Sequence, residues 1–191
     1  MTPKILAFAG STRNGSYNKK LIKVAVRGAQ AAGAEVTLID LRELALPIYD
    51  GDLEDAQGLP PGARRLKDLM LAHDGLLISC PEYNSSISGV LKNAIDWASR
   101  PAAGEKPLEC FDGKVASLMS ASPGALGGLR GLVTVRSILS NIKVIVLPDQ
   151  VAVGKADQAF HEDGTMIDAK QQAAVERLGQ KLSATIAKLK A

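Results

Sequence analysis

The sequence predicts an α/β fold, a five-stranded parallel sheet with helices on both faces, and three observations predict it. Short apolar runs alternate with longer stretches at helical spacing, the pattern of repeated βα units. The 191 residues, 46% apolar and 23% charged, are enough for one compact domain, residues 1–191, with a core of its own. Two cysteines and two histidines supply neither a disulfide framework nor a zinc site, so no metal is expected and packing must hold the chain.

The first strand is the apolar run 5–9. A loop leads from it into a helix over 18–32, stopped by Gly33, in which Leu21, Ile22, Val24, Ala25, Ala29 and Ala32 share one face while Lys19, Lys20, Lys23 and Arg27 lie away from it. The second strand is 36–39. Residues 41–61, rich in Asp, Gly and Pro, form a surface excursion, and a helix over 62–72 leads to the third strand at 76–79. Next come a helix over 88–99, a second excursion at 100–113, a fourth strand at 115–119, a helix over 129–140 and a fifth strand at 144–147. Residues 151–168 read as a small extension or hairpin turning at Asp163-Gly164. The last helix, 169–189, carries Val175, Leu178, Leu182, Ile186 and Leu189 at spacings of three or four and packs back on the sheet.

Charge and composition exclude several classes. A balance of +3 scattered along the chain gives no basic face for a polyanion or a membrane surface, and 4% aromatic residues make a poor stacking platform for single strands. No charged leader precedes the first apolar run, and no apolar stretch approaches the roughly 20 residues of a membrane span, so the chain is expected in the cytoplasm.

In an open parallel sheet, chemistry is expected in the crevice at the carboxyl ends of the strands. After the first strand comes Gly10-Ser-Thr-Arg-Asn-Gly-Ser-Tyr-Asn18, opening straight into a helix. Its hydroxyls, free amides and Arg13 suit a phosphate dianion. Gly15 is followed by Ser16 and Tyr17 rather than Lys and Ser/Thr, which disfavours nucleotide hydrolysis. The G-x-G-x-x-G fingerprint is also absent, although Asp40 ends the second strand where a ribose-binding carboxylate sits in dinucleotide folds. A terminal monophosphate fits better. Taken alone, the segment also suits a polar βα turn with Asn18 as helix N-cap. After the third strand, Pro81-Glu-Tyr-Asn-Ser-Ser-Ile-Ser-Gly89 offers Tyr83 as a packing surface for a flat heteroaromatic ring and Asn84 for its polar edge, while Ser86 or Ser88 could cap the next helix. The third loop, Ser120-Ala-Ser-Pro-Gly-Ala-Leu-Gly-Gly-Leu-Arg130, has small residues that permit close backbone approach, as would any glycine-rich turn.

Together these loops describe a flavodoxin-like switch point with room for a flavin mononucleotide. Gly10-Ser-Thr-Arg13 with Gly15-Ser16 and Asn18, Pro81-Glu-Tyr-Asn84 with Ser88-Gly89, Leu91-Lys-Asn-Ala-Ile-Asp-Trp97, and Ser122-Pro-Gly124 with Gly127-Gly128 and Arg130 resemble the NADPH-dependent FMN reductase family, which includes quinone, chromate and azo-dye reductases. The resemblance implies a flavodoxin-like three-layer sandwich with strand order 2-1-3-4-5, bound FMN, and NADPH or NADH as co-substrate. It implies that Ser11, Arg13, Ser16 and Asn18 hold the FMN phosphate, with Tyr17 among the cofactor contacts. Pro81, Glu82, Tyr83, Asn84 and Ser85 would lie along the isoalloxazine, with Ser120, Ser122 and Gly124 nearby. It also implies a homodimer or homotetramer with the active site near the subunit contact, for which Asp96, Trp97 and residues 100–113 are candidate elements, although Trp97 by itself reads as a packed helix residue.

The implied reaction is ping-pong: reduced nicotinamide delivers hydride to the flavin and leaves, and a quinone, chromate, azo compound or free flavin then takes the electrons. The cofactor carries that chemistry, so no protein nucleophile or acid/base pair is required. Accordingly His73 and His161 are read as surface or capping residues, Cys80 as a small buried residue, Cys110 as exposed, and Glu54-Asp55 and Glu162-Asp163 as solvated charges. A flavodoxin-type electron carrier is the competing class, but carriers of that type are acidic for docking and this chain is not. A phosphatase would need a cysteine between Gly10 and Asn18, and there is none.

Overall fold

The computed structural model describes residues 1–191. The strands of the main sheet are β1 (Lys4–Ala9), β2 (Glu35–Asp40), β3 (Gly75–Ser79), β6 (Val115–Ala121) and β7 (Ile145–Val153); a short hairpin, β4 (Glu82–Tyr83) and β5 (Ser86–Ile87), stands apart. The helices are α1 (Tyr17–Ala31), α2 (Gly51–Gln57), α3 (Pro61–Ala72), α4 (Gly89–Ser99), α5 (Leu129–Asn141) and α6 (Ala169–Leu189). The five-stranded sheet runs β2-β1-β3-β6-β7 with every pair parallel, which is the predicted 2-1-3-4-5 order.

Alternation along the central strands makes two cores. Leu6, Phe8, Leu76, Ile78, Ala116 and Leu118 face α3, α4 and α5, while Ile5, Ala7, Leu77, Val115 and Met119 face α1 and α6. Both faces of β1, β3 and β6 are therefore apolar, as strands covered on both sides must be. β2 and β7 are edges with one side open.

Several expectations change. β7 reaches Val153, so residues 151–153 belong to the sheet and not to the following extension. Pro148 has no N–H for the ladder, and the register shifts between Ala116 and Leu118, a bulge an edge strand tolerates. The remaining hairpin closes on a Phe160–Met166 bridge around Gly164. The first excursion contains a 3-10 turn, Leu41–Leu44, and α2, neither predicted. Glu54 in α2 is not a solvated loop charge: it accepts hydrogen bonds from Arg100 at 2.8 Å and from the Tyr49 hydroxyl at 2.9 Å. Helix α1 is capped by Ser16 rather than Asn18. Trp97 is fully buried, donates to the Pro47 carbonyl at 2.8 Å and meets Tyr49 edge-on at 5.0 Å, so it fastens α4 to the excursion and drops out of any subunit contact surface. His73 caps α3 as expected but is buried, its ring between the Leu69 carbonyl and the Thr37 hydroxyl.

Residues 100–113 are tied down rather than draped on the surface. Cys110 is buried, not exposed, with its thiol pushed up to about 11, chiefly by burial. Glu105 bridges Arg64 and Lys67 of α3. Burial alone would raise the Glu105 carboxyl, but hydrogen bonds from Lys67 and Arg64 outweigh it and hold the group at about 2. A carboxylate with a depressed folded pKa contributes stability that is complete above its unfolded pKa and lost as pH falls through the folded one. We expect segment 100–113 to loosen between about pH 4.5 and about 2. In Glu105→Gln it should already be loose at neutral pH. Amide hydrogen exchange confined to these residues checks this, and identical protection in the two proteins at pH 7 would contradict it.

Candidate functional site

The three sequence-predicted loops meet at the carboxyl ends of β1, β3 and β6, and one side chain fastens them. Asn18, in the first turn of α1 and 4% exposed, donates from Nδ2 to the Ala121 carbonyl at 2.8 Å; its Oδ1 accepts from the Ala121 N–H at 3.0 Å and the Ser79 hydroxyl at 2.8 Å. A second buried serine repeats the device. Ser88 caps α4 by accepting from the Leu91 N–H and donates to the Gly10 carbonyl at 2.6 Å. Sequence alone offered Ser88 as a cap; its bond back to the first loop had no local signal.

These ties frame a cavity of about 150 Å³ bordered by Ser11, Arg13, Ser16, Tyr17, Asn18, Pro81, Glu82, Tyr83 and Ser122, with Ala121 and Pro123, which the sequence did not single out. Asn84 and Ser85 lie just outside it, as the turn of the β4–β5 hairpin with φ +51° and +66°, values short polar residues tolerate. Gly124 is exposed and donates its N–H to the Ser122 hydroxyl at 3.2 Å. Ser120 is fully buried, and its hydroxyl has no hydrogen-bond partner. It packs against Gly128, where a Cβ would stand 1.9 Å from the Ser120 Oγ, so only glycine lets the third loop fold over it.

The electrostatics of the cavity suit an anion. Helix α1 has no acidic residue in its first turn, so its N-terminal amides present an uncompensated positive end. Arg13 enters no ion pair and lies 5.9 Å from the Tyr17 ring centroid. The one carboxylate lining the cavity is diverted: Glu82 accepts from Arg130 at 2.5 and 2.9 Å and from the Gly131 N–H at 3.1 Å. Burial would raise its pKa, but the bonds from Arg130 and Gly131 bring it below the usual glutamate value. Glu82 thereby pins β4 to the start of α5. The donor set of hydroxyls, guanidinium and helix amides fits the phosphate of a mononucleotide, and the small-residue third loop leaves access for a flat ring.

Fold and cradle define a mononucleotide-binding α/β protein of flavodoxin-like build. The signature of NADPH-dependent FMN reductases matches residues 3–158. The chain is 36% identical over 188 residues to an NAD(P)H-dependent FMN reductase of Pseudomonas aeruginosa, covering 98% of this chain and 97% of that one. It is 32% identical over 144 residues to a quinone reductase of Escherichia coli, covering 75% and 73%. Among solved structures, the flavoenzyme NAD(P)H:(acceptor) oxidoreductase of Paracoccus denitrificans superposes with a TM-score of 0.82 at 28% identity over 98% of both chains. The chain belongs to the NADPH-dependent FMN reductase family, and it is an NAD(P)H-dependent reductase that uses FMN. No helix is long and apolar enough to cross a membrane.

Proposed function

We propose that residues 1–191 act as a single FMN-binding domain in the cytoplasm, passing electrons from NADH or NADPH to a small oxidant such as a quinone, chromate, an azo compound or free flavin by a ping-pong mechanism. A homodimer or homotetramer is part of this reading. The observation that carries it is the unpaired Arg13 beside the open end of α1, facing loops that Asn18 holds in register. Bound there, FMN would supply the redox chemistry, two-electron transfer between a reduced nicotinamide and an acceptor.

The chain's own residues bind, orient and leave a face open. Ser11, Arg13, Ser16 and the first amides of α1 hold the phosphate, with Arg13 offsetting its charge; Tyr17 and Asn18 close that end, and Asn18 keeps one amide hydrogen free after its bond to Ala121. Pro81, Glu82 and Tyr83 form the ring-side wall, and Asn84, Ser85, Ser122 and Gly124 supply polar groups at its rim. Ser120 supports this loop from below through its contact with Gly128. Tyr83 is 58% exposed, which leaves an approach for a nicotinamide and then for an acceptor. No thiol competes, since burial pushes the Cys80 thiol well above its ordinary pKa.

Stopped-flow mixing of FMN-loaded protein with NADH or NADPH tests this: bleaching of the oxidised-flavin band is expected, followed by recovery on adding a quinone with no partner reductase present. A flavin that stays oxidised with both nucleotides would exclude the enzyme. Arg13→Ala is expected to weaken FMN binding about 10- to 100-fold, the ~1.5–3 kcal/mol of a charge-assisted hydrogen bond, with nicotinamide-driven bleaching retained at saturating FMN. Fluorescence titration of FMN gives the affinity.

A further inference from the structure

Ser16 borders two cavities. The second, about 530 Å³, lies over the carboxyl end of β2, between that edge strand and α1. Its size falls inside the roughly 300–1,000 Å³ of small-molecule sites, whereas the phosphate-side cavity is smaller than that range. The lining has three chemistries. Its accessible apolar side is Leu38, 42% exposed, since Ile22 is only 2% exposed. Lys20 and Lys23 line it without joining any ion pair, Lys20 with its Nζ 5.9 Å from the Phe160 ring centroid, unlike Lys19, whose Nζ sits 2.5 Å from Asp40 Oδ2; Glu43 is a second carboxylate on the lining. Asp40 ends β2, and although it binds Lys19 and accepts from the Arg42 N–H at 3.0 Å, a carboxylate has lone pairs left after two such bonds. In dinucleotide-binding folds an acidic side chain at the end of the second strand takes ribose hydroxyls, and Asp40 holds the corresponding place here although the G-x-G-x-x-G turn is absent.

We propose that this cleft binds the adenosine 5′-phosphate half of a dinucleotide, with phosphate oxygens on Lys20 and Lys23, the ribose diol on Asp40 and the base against Leu38. The cleft shares Ser16 with the phosphate-side cavity, so a tail attached to a phosphate held there runs into it. Two molecules carry that chemistry: FAD, taken in place of FMN with its adenylate in the cleft, and the nicotinamide co-substrate. The inference rests on the phosphate reading of the Ser16 loop and extends it.

The probe is AMP, titrated by calorimetry into the FMN-loaded full-length protein. One-site binding is expected, weakened at least about tenfold in Lys20→Gln/Lys23→Gln and in Leu38→Trp, which fills the apolar side without changing charge. FMN affinity should stay within about threefold in both variants. Two further arms identify the carrier. Variants that weaken FAD while sparing FMN assign the cleft to the flavin tail; variants that raise KM for the nicotinamide nucleotide, with the FAD-to-FMN affinity ratio unchanged, assign it to the co-substrate. Either result upholds the site. AMP that does not bind the wild-type holoprotein, or binds wild type and variants equally, overturns it. The FMN titration keeps the two readings apart, because failure of the phosphate site shows as loss of FMN binding in the unaltered protein.

Discussion

Asn18→Leu is expected to destabilise the protein by about 3–4 kcal/mol and to abolish tight FMN binding. Leucine has the same number of side-chain heavy atoms in the same branching, so the gross shape is kept, but three buried hydrogen bonds disappear. The Ala121 N–H and carbonyl and the Ser79 hydroxyl are then left in a dry junction, and each unsatisfied buried group costs ~1–3 kcal/mol. The sum is below three times the upper value because the loops can part slightly and admit water. That parting is what harms function: the first loop carries the phosphate donors, Ser79 leads into Pro81-Glu82-Tyr83, and Ala121 leads into Ser122. Asn18→Asp separates polarity from geometry. It can still accept from Ser79 and the Ala121 N–H, but it sets a carboxylate against the Ala121 carbonyl and beside the phosphate, so it should recover some stability and little FMN affinity. Urea midpoints at constant m-value and flavin titration read the two effects. A leucine variant within 1 kcal/mol of wild type would mean that the junction is not held by this side chain.

The predictability of the fold follows from how local its causes are. The central strands were legible because both of their faces are buried, which writes an unbroken apolar run into the sequence. β7 was cut short because Pro148 and Asp149 interrupt its run, and only the edge position, invisible locally, lets the strand continue past them. Helix α2 was missed because Gly51–Gln57 has no buried residue and so no apolar period. Cys110 reads as exposed from sequence because Lys106, Glu109, Asp112 and Lys114 surround it; the segment is pulled inward by Glu105 reaching Lys67 and Arg64 on a helix far back in the chain.

At the site, what was legible is what a single loop encodes. Hydroxyls, Arg13 and a helix start lie within one stretch, and the structure gathers most of the named residues around one cavity. The contacts that assemble loops from different parts of the chain were not legible, as with Asn18 to Ala121 or Glu82 to Arg130. Asp40 is a case between the two. Its position at the end of the second strand was readable, but the cleft beside it comes from the spacing of α1 against an open sheet edge, and no motif records that.

The same α1 supplies the second large expected effect, at its far end. Gly28 and Gly179 let α1 and α6 approach backbone to backbone: a Cβ on Gly28 would stand 2.0 Å from the Glu176 carbonyl oxygen, and one on Gly179 would stand 2.1 Å from that of Ala25. Helix propensity argues for replacing Gly28, since glycine inside a helix costs ~0.5–1 kcal/mol relative to alanine. Packing argues the opposite way and more strongly. The obstructing atoms are main chain, with no rotamer to move aside, so the helices must separate along a contact that includes the buried Leu21, Val24, Val175, Leu178 and Leu182. Overpacking of this kind lies at the upper end of the ~1–3 kcal/mol range, and Gly28→Val is expected to lose about 3 kcal/mol. Gly89→Ala, where nothing lies within 4 Å of the new Cβ, should leave stability unchanged or raise it by up to about 1 kcal/mol. FMN affinity should fall in Gly28→Val as well, because a displaced α1 carries Ser16 and its amides away from Arg13, and it should hold in Gly89→Ala. Equal or greater stability in Gly28→Val would mean that the α1–α6 contact is slack and that the phosphate end of α1 is positioned by the Asn18 junction alone.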